Sequence, residues 1–187
     1  TSYDPRSPYS ATKAASDHLV KAWNNTYGFP AIVTNSCNNF GPWQYPEKLI
    51  PVIIYNALNS KPIPLYGNGQ NVRDWIYVED HVDALIQVML KGRLGDSYCI
   101  GSRQLKTNEE IVNVVCDYLD LYKQSNSPHI RFKKFVKDRA GHDFRYAIDN
   151  NKIVNELKWS PKFDFDEAIA ITVKWYLDNH NFLNISS

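Results

Sequence analysis

The spacing of apolar positions predicts a long helix near the start of the chain, over residues 8–27. Ser7 is a favoured N-cap, Pro8 suits the first helical position, and Gly28 can end the helix in a left-handed conformation. The predicted apolar face consists of small and aliphatic residues at helical spacing: Ala11, Ala15, Leu19 and Ala22.

Short β-branched or alternating segments separate further helices along the chain. The pattern predicts strands at 31–34, 63–66, 72–78, 97–101 and 130–136 and loops at 38–42 and 137–145. It predicts one helix over 48–59 and another that has Asp80 as its N-cap and ends near Leu90. A further helix follows the Thr107/Glu110 capping box, and two more close the chain, the last of which starts at Asp164/Glu167. Strands that alternate with helices predict an α/β fold with a largely parallel sheet.

The first predicted element does not match the usual start of an α/β dinucleotide-binding fold. Such a fold opens with a strand, a glycine-rich turn and a helix, often written G-x-G-x-x-G. The chain contains no such motif, and the helix over 8–27 has no strand before it. We therefore expect this sequence to be the C-terminal part of a longer enzyme.

Composition and charge narrow the class of protein. The 187 residues are 43% hydrophobic and 22% charged, which is typical of a globular protein of one domain or slightly more. A net charge of +1 provides no electrostatic argument for binding nucleic acid or an anionic membrane. Three cysteines without CxxC spacing argue against a disulfide framework or a zinc site and favour a reducing, cytoplasmic location.

Tyr9 and Lys13 are the most informative pair of residues. Their spacing of four places both side chains on one helix face, beside each other. A lysine charge favours the ionised form of a neighbouring phenol, and the pair is therefore suited to proton transfer. The alternative is a half-buried tyrosine beside a surface lysine, which is common by chance.

Several motifs, in order along nearly the whole chain, resemble one family. They are Ser7-Pro8-Tyr9-Ser10-Ala11-Thr12-Lys13, Asn38-Asn39-Phe40-Gly41-Pro42, Pro46-Glu47-Lys48-Leu49-Ile50-Pro51, Arg73-Asp74-Trp75-Ile76-Tyr77-Val78-Glu79-Asp80-His81 and Asp138-Arg139-Ala140-Gly141-His142-Asp143. The set is similar to the extended short-chain dehydrogenase/reductases, and within them to the nucleotide-sugar 4,6-dehydratases.

The resemblance implies a fold and a cofactor. It implies part of a Rossmann-type doubly wound sheet plus a smaller α/β nucleotide-sugar-binding domain. The NAD-binding domain would contribute 1–36 and 71–101, and the other domain 37–70 and 102–187. NAD would contact Tyr9, Lys13 and Asn39, with Tyr9 as catalytic base and Lys13 on the nicotinamide ribose.

The resemblance also implies a nucleotide-sugar site, with dTDP-glucose as the substrate. Arg73 and Arg139 offer planar forks of donors to phosphate oxygens, and Tyr66 could stack on a base. Asn108 lies near the start of a capped helix, where free backbone N–H groups favour anions. The implied substrate contacts are Asn38, Lys48, Leu49, Pro64, Tyr66, Arg73, Asn108, Arg139 and His142.

Simpler interpretations remain open for these residues. Arg73 with the following aspartate could be a surface ion pair, and Asn38-Asn39 before Gly-Pro a turn. Arg139 and His142 could belong to an ordinary polar loop. On the same reasoning His18 and His81 are structural and Cys37 is a packing residue.

The implied reaction is dehydration in three stages: oxidation at C4 of the sugar, loss of water across C5–C6, and return of hydride to C6. The family's Asp-Glu pair for the middle stage lies before the Tyr-x-x-x-Lys helix, so this chain alone is expected to be inactive. The alternatives are a nucleotide-sugar 4-epimerase or decarboxylase and a non-catalytic nucleotide-sugar-binding fragment. The family also suggests a homodimer when full length, with the first helix in the interface.

Overall fold

The computed structural model describes residues 4–5 and 7–186. The helices are α1 (Pro8–Tyr27), α2 (Leu49–Leu58), α3 (Val78–Lys91), α4 (Asn108–Tyr122), α5 (Asn151–Leu157) and α6 (Phe165–Asp178), with short 3-10 helices at His129–Phe132 and His180–Ser186. The strands are β1 (Val33–Ser36), β2 (Asn38–Phe40), β3 (Ile63–Tyr66), β4 (Val72–Tyr77), β5 (Ser97–Ile100), β6 (Leu105–Thr107), β7 (Lys133–Val136) and β8 (Arg145–Tyr146).

Strand pairing is mostly parallel, as the alternation of helices and strands predicts. β1 pairs with β5, β2 with β4, β3 with β7 and β8 with β4, all in parallel. β6 is antiparallel to β4. Since parallel neighbours need a crossover, each pairing joins segments far apart in the chain and brings the strand ends to common edges. The α/β class is therefore confirmed.

The first helix begins and ends where its sequence signals predict. The Ser7 hydroxyl oxygen accepts a hydrogen bond from the Ser10 backbone N–H at 3.1 Å, and Gly28 adopts φ 66° after the last turn. No residue of α1, every one of which the structure describes, is buried. The Ala11-to-Ala22 face is thus not covered by the described part of this chain.

Buried apolar residues form two clusters. The larger joins α2, α4 and α6 to β3 and β4, with Ile54, Val115 and Val173 among its members. The smaller joins β5, α3 and α5, and it includes Ile153 and Leu157. The domain division stays a prediction, although α5 packs with segments assigned to the other domain.

Several element predictions were wrong in detail. β2 occupies the first three residues of the predicted loop 38–42, because residues 38–40 pair with β4. Asp80 does not cap α3. It is buried, and its carboxylate accepts from the backbone N–H groups of Lys162 at 2.9 Å and Phe163 at 3.1 Å. The predicted strand 130–136 begins as a 3-10 helix, β1 starts two residues after residue 31, and β6 and β8 had no clear sequence signal.

Candidate active site

Tyr9 and Lys13 lie on one wall of a cavity of about 940 Å³. They belong to the first two turns of α1, so their direction follows from the cap at Ser7 and the four-residue spacing. The Tyr9 side chain is 74% exposed, which leaves its hydroxyl accessible from the cavity. This position suits a group that exchanges a proton with a bound molecule.

Asn38 and Asn39 line the same cavity from β2. The Asn39 amide nitrogen donates to the Ser36 hydroxyl oxygen at 3.2 Å. Within the described part of the chain, Asn39 Oδ1 is buried and accepts no hydrogen bond. A buried acceptor without a donor is costly, so a ligand N–H group at this position would be favourable.

A chain of hydrogen bonds supports the Asn39 backbone from behind. Gln44 Nε2 donates to the Asn39 carbonyl oxygen at 2.7 Å, and the Tyr176 hydroxyl donates to the Gln44 carbonyl oxygen at 2.6 Å. Tyr176 lies in α6 within the larger buried cluster. The position of Asn39 is thereby tied to the core of the molecule.

Arg73 enters the cavity from β4. Its guanidinium donates to the carbonyl oxygens of Val72 at 2.8 Å and Asp143 at 2.7 Å. Burial lowers the pKa of Arg73, and the nearby positive charge of Arg139 lowers it further, against the opposing charge of Asp143. Two neighbouring cations of this kind favour an anion between them.

The loop after β7 gathers the second group of predicted substrate contacts. Parallel pairing of β3 with β7 places Tyr66 opposite Val136, next to this loop. The Arg139 guanidinium carbon lies 5.2 Å from the centroid of the Tyr66 ring, within the range of a cation–π contact. The Tyr66 side chain is 37% exposed, so part of its surface remains available to a ligand.

Asp138 organises this loop. Its carboxylate accepts from the Arg139 backbone N–H at 2.8 Å and from His142 Nδ1 at 2.7 Å. Arg139 can only donate to His142 Nε2, at 3.1 Å, so Nδ1 carries the histidine proton. The bond from His142, followed by that from Arg139, holds the pKa of Asp138 below its usual value.

Among the described residues, seven of the nine predicted substrate contacts do not line the large cavity. Three of them, Tyr66, Arg139 and His142, lie at the loop after β7, and four lie elsewhere. Lys48 forms an exposed ion pair with Glu47 at 2.7 Å, and the neighbouring Leu49 packs at the edge of the larger cluster. Pro64 lies in β3 opposite Lys134, and Asn108 begins α4. Their roles stay predictions.

The expected free N–H groups at the start of α4 are not free. The backbone N–H of Asn108 donates to Asn71 O at 3.0 Å, and that of Glu109 donates to Gly69 O, also at 3.0 Å. The Glu110 N–H donates to the Thr107 hydroxyl oxygen at 3.1 Å. That part of the prediction is wrong, because the preceding turn and the capping box already occupy these donors.

Sequence reasoning missed other residues that line the cavity. Tyr146 follows the polar loop and had no motif of its own, and His81 was interpreted as structural although it lines the cavity. Burial lowers the pKa of His81 and favours its neutral form. Cys37 also lines the cavity, but burial raises the pKa of its thiol, which agrees with a packing role.

Other kinds of site receive no support. Among the residues that the structure describes, no group of three or more His, Cys, Asp or Glu side chains could hold a metal ion. Within the same residues, no helix is both long and apolar enough to cross a membrane.

A Tyr-x-x-x-Lys helix that faces an Asn- and Arg-lined cavity at the ends of parallel strands defines a class of α/β proteins, and comparison with known proteins identifies it. A family model described as GDP-mannose 4,6 dehydratase matches residues 1–172, and the chain belongs to this family. The resemblance to extended short-chain dehydrogenase/reductases is confirmed.

Its relatives include dTDP-glucose 4,6-dehydratases. The chain is 52% identical over 181 residues to that of Haemophilus influenzae and 51% identical over 184 residues to that of Salmonella typhimurium. These alignments cover 95% and 98% of this chain but 54% and 51% of the relatives. The chain therefore spans about half the length of the curated relatives it matches.

Solved structures agree with this relationship. The dTDP-glucose 4,6-dehydratase of Bacillus anthracis, solved with NAD, has a TM-score of 0.86 and 46% identity, over 95% of this chain and 54% of that one. The Streptomyces venezuelae enzyme has a TM-score of 0.87 and 41% identity, over 96% and 53%. A Thermotoga maritima UDP-glucose 4-epimerase, at 23% identity and a TM-score of 0.83, shares the fold.

Proposed function

We propose that this chain is the C-terminal part of an NAD-dependent dTDP-glucose 4,6-dehydratase, a lyase that forms dTDP-4-keto-6-deoxyglucose. One observation carries the proposal: the cavity wall formed by Tyr9 and Lys13 also faces Asn39 and Arg73. A proton-transfer pair, an amide acceptor and a cation thus converge from α1, β2 and β4. Relatives about 50% identical have this activity by name.

The residues present fit NAD. Asn39 Oδ1 is a buried acceptor without a donor, which a carboxamide N–H would satisfy. Lys13 supplies a donor and a positive charge on the same side as Tyr9, as contact with a ribose hydroxyl requires. When bound, NAD supplies a reversible hydride acceptor, and a net dehydration can therefore proceed through a keto sugar.

Tyr9 and Lys13 divide the proton chemistry at C4. The Tyr9 phenol oxygen accepts the proton of the sugar 4-hydroxyl while C4 of the sugar is oxidised. The Lys13 ammonium stabilises negative charge on the phenol oxygen before that transfer. The resulting 4-keto group acidifies the C5 proton and thereby prepares the loss of water across C5–C6.

Arg73 and Arg139 are assigned to the diphosphate. Among the described residues, neither guanidinium is paired with a carboxylate at salt-bridge distance. Each guanidinium is therefore available to donate charge-assisted hydrogen bonds to a phosphate. Tyr66, beneath Arg139, provides an aromatic face for the base. We also propose that the full-length protein is a cytoplasmic homodimer, as the resemblance to the family implies.

The test uses the full-length protein that contains this chain. Incubation with NAD and dTDP-glucose should yield a 4-keto-6-deoxy sugar, observed by its absorbance in alkali and by mass loss of one water. UDP-glucose and GDP-mannose serve as matched substrates for base specificity. A C4 epimer without loss of water would replace the dehydratase with the epimerase alternative.

A further inference from the structure

The segment after β7 returns, at Tyr146, to the cavity whose wall carries Tyr9 and Lys13. The Tyr146 hydroxyl donates to the Ser36 carbonyl oxygen at 3.2 Å, across 110 residues of sequence. β8 runs parallel to β4, with Tyr146 in register with Arg73. The Tyr146 side chain therefore lines the cavity that Tyr9 and Lys13 also line.

Ser36 also lines that cavity. It ends β1, and its hydroxyl accepts the hydrogen bond from Asn39 Nδ2 at 3.2 Å. A bond to its carbonyl oxygen thus joins Tyr146 to the backbone segment that holds Asn39. The same segment leads from α1 and β1 to the strand that faces NAD in the proposed function.

The other end of the Tyr146 segment carries Arg139, which the proposed function assigns to the diphosphate, and His142, which contacts Arg139. Between these residues and Tyr146, the Asp143 carbonyl oxygen accepts from Arg73 at 2.7 Å and from Asn71 Nδ2 at 3.2 Å. The Val72 N–H also donates to Phe144 O at 2.8 Å. These bonds attach the loop to β4, whereas the Tyr146 hydroxyl bond attaches it to β1.

The environment of Tyr146 suits a permanent donor. Burial raises the pKa of Tyr146, and the nearby Cys37 and, more weakly, Tyr9 raise it further. Its hydroxyl therefore keeps its proton and remains a donor to the Ser36 carbonyl oxygen.

We propose that Tyr146 is a positioning residue, which fixes the loop carrying Arg139 and His142 against the wall carrying Tyr9 and Lys13. The inference rests on the proposed function and deepens it. The nucleotide binds through the loop, whereas the sugar reacts at the wall. The Tyr146–Ser36 hydrogen bond sets the distance between the loop and the wall, and thereby positions the sugar relative to Tyr9.

The test compares two phenylalanine variants of the full-length enzyme. Tyr146→Phe removes the bond to Ser36 and keeps the ring. Tyr118→Phe is the matched control, because the Tyr118 hydroxyl also donates to a backbone carbonyl, Asp166 O, at the same 3.2 Å but away from the cavity. Rates of 4-keto product formation, binding of dTDP and thermal unfolding are measured for both.

We expect kcat of Tyr146→Phe to fall about 3- to 10-fold, the scale of one net hydrogen bond, with KM and dTDP affinity within 2-fold. Tyr118→Phe should keep the wild-type kcat. An unchanged kcat in Tyr146→Phe overturns this inference alone, as does a fall accompanied by equal loss of dTDP affinity and thermal stability. A full-length wild type that forms no 4-keto product overturns the proposed function as well.

Discussion

At the scale of single residues, the position of Tyr9 depends on its helix. Its side chain is 74% exposed, and the Ser7 cap fixes the start of the turn that presents it. Because the helix orients the Tyr9 side chain without burying it, the Tyr9 hydroxyl remains accessible to a substrate. Asn39 is the opposite case, since a chain of tertiary hydrogen bonds through Gln44 and Tyr176 holds it.

Tyr9→Phe in the full-length enzyme should slow 4-keto product formation by about 10²–10⁴-fold, the usual contribution of a general base. The ring stays, and nucleotide-sugar binding should change little. Tyr27→Phe is the matched control, because Tyr27 ends the same helix, is 78% exposed and does not line the cavity. Equal rates in Tyr9→Phe and wild type would remove the catalytic assignment.

Arg73→Ala and Arg139→Ala should each weaken nucleotide-sugar binding by about 1.5–3 kcal/mol, the scale of hydrogen bonds to charged groups. NAD affinity should barely move. Calorimetry with each ligand measures both effects, and Arg131→Ala is the control, because Arg131 lies over Phe132 at 4.9 Å, outside both groups of site residues. If both ligands lost affinity equally, these arginines would hold the fold and not the diphosphate.

At the scale of elements, α4 shows a reciprocal cap. Glu110 Oε2 accepts from the Thr107 backbone N–H at 2.6 Å and from its hydroxyl at 2.9 Å. The backbone bond, followed by the hydroxyl bond, lowers the pKa of Glu110. A depressed carboxyl pKa stabilises the folded state above the unfolded value, here 4.5, and this contribution is lost as pH falls below it.

Glu110→Gln should therefore lower the stability of the full-length protein at pH 7, and the difference from wild type should shrink between about pH 5 and pH 3. Urea unfolding of both proteins at pH 7 and at about pH 3 measures this difference in the free energy of unfolding. Glu167→Gln is the control: it lies at the same position of α6, where the cap bond runs from the Glu167 backbone N–H to Asp164. A difference that does not depend on pH would exclude the carboxylate as its origin.

At the scale of the whole molecule, the described part of this chain leaves the apolar side chains of α1 exposed and the β1–β5 sheet small. α1 has no buried residue, and Leu19, Trp23 and Tyr27 on it are 61%, 56% and 78% exposed. β1 and β5 form a parallel sheet of two strands in the part of the chain that the structure describes. Small sheets and uncovered apolar faces are poorly stable in water.

The 187 residues expressed alone should therefore aggregate or melt without a sharp transition. Light scattering and calorimetry test this, with the full-length protein as control. Coexpression with the other half should restore solubility, because that half would add strands to the β1–β5 sheet. A monodisperse monomer with a cooperative transition would show that the described core is sufficient.

Local signals in the sequence determined the fold class and the starts of α1, α4 and α6. The Ser7 cap, the Thr107/Glu110 capping box and the Asp164 cap all form as their residue types predict. The reason is that caps join residues three positions apart, within reach of local geometry. Tyr9 and Lys13 share a cavity wall for the same reason, since helical spacing alone sets their direction.

Tertiary structure decided what those local signals could not. Asp80 is a typical cap by type, but it binds the backbone of Lys162 and Phe163, which no neighbouring residue indicates. The bond from Tyr146 to Ser36 likewise spans 110 residues. Such contacts exist because parallel strands need long crossovers, and only the completed sheet brings their ends, and the residues of the site, together.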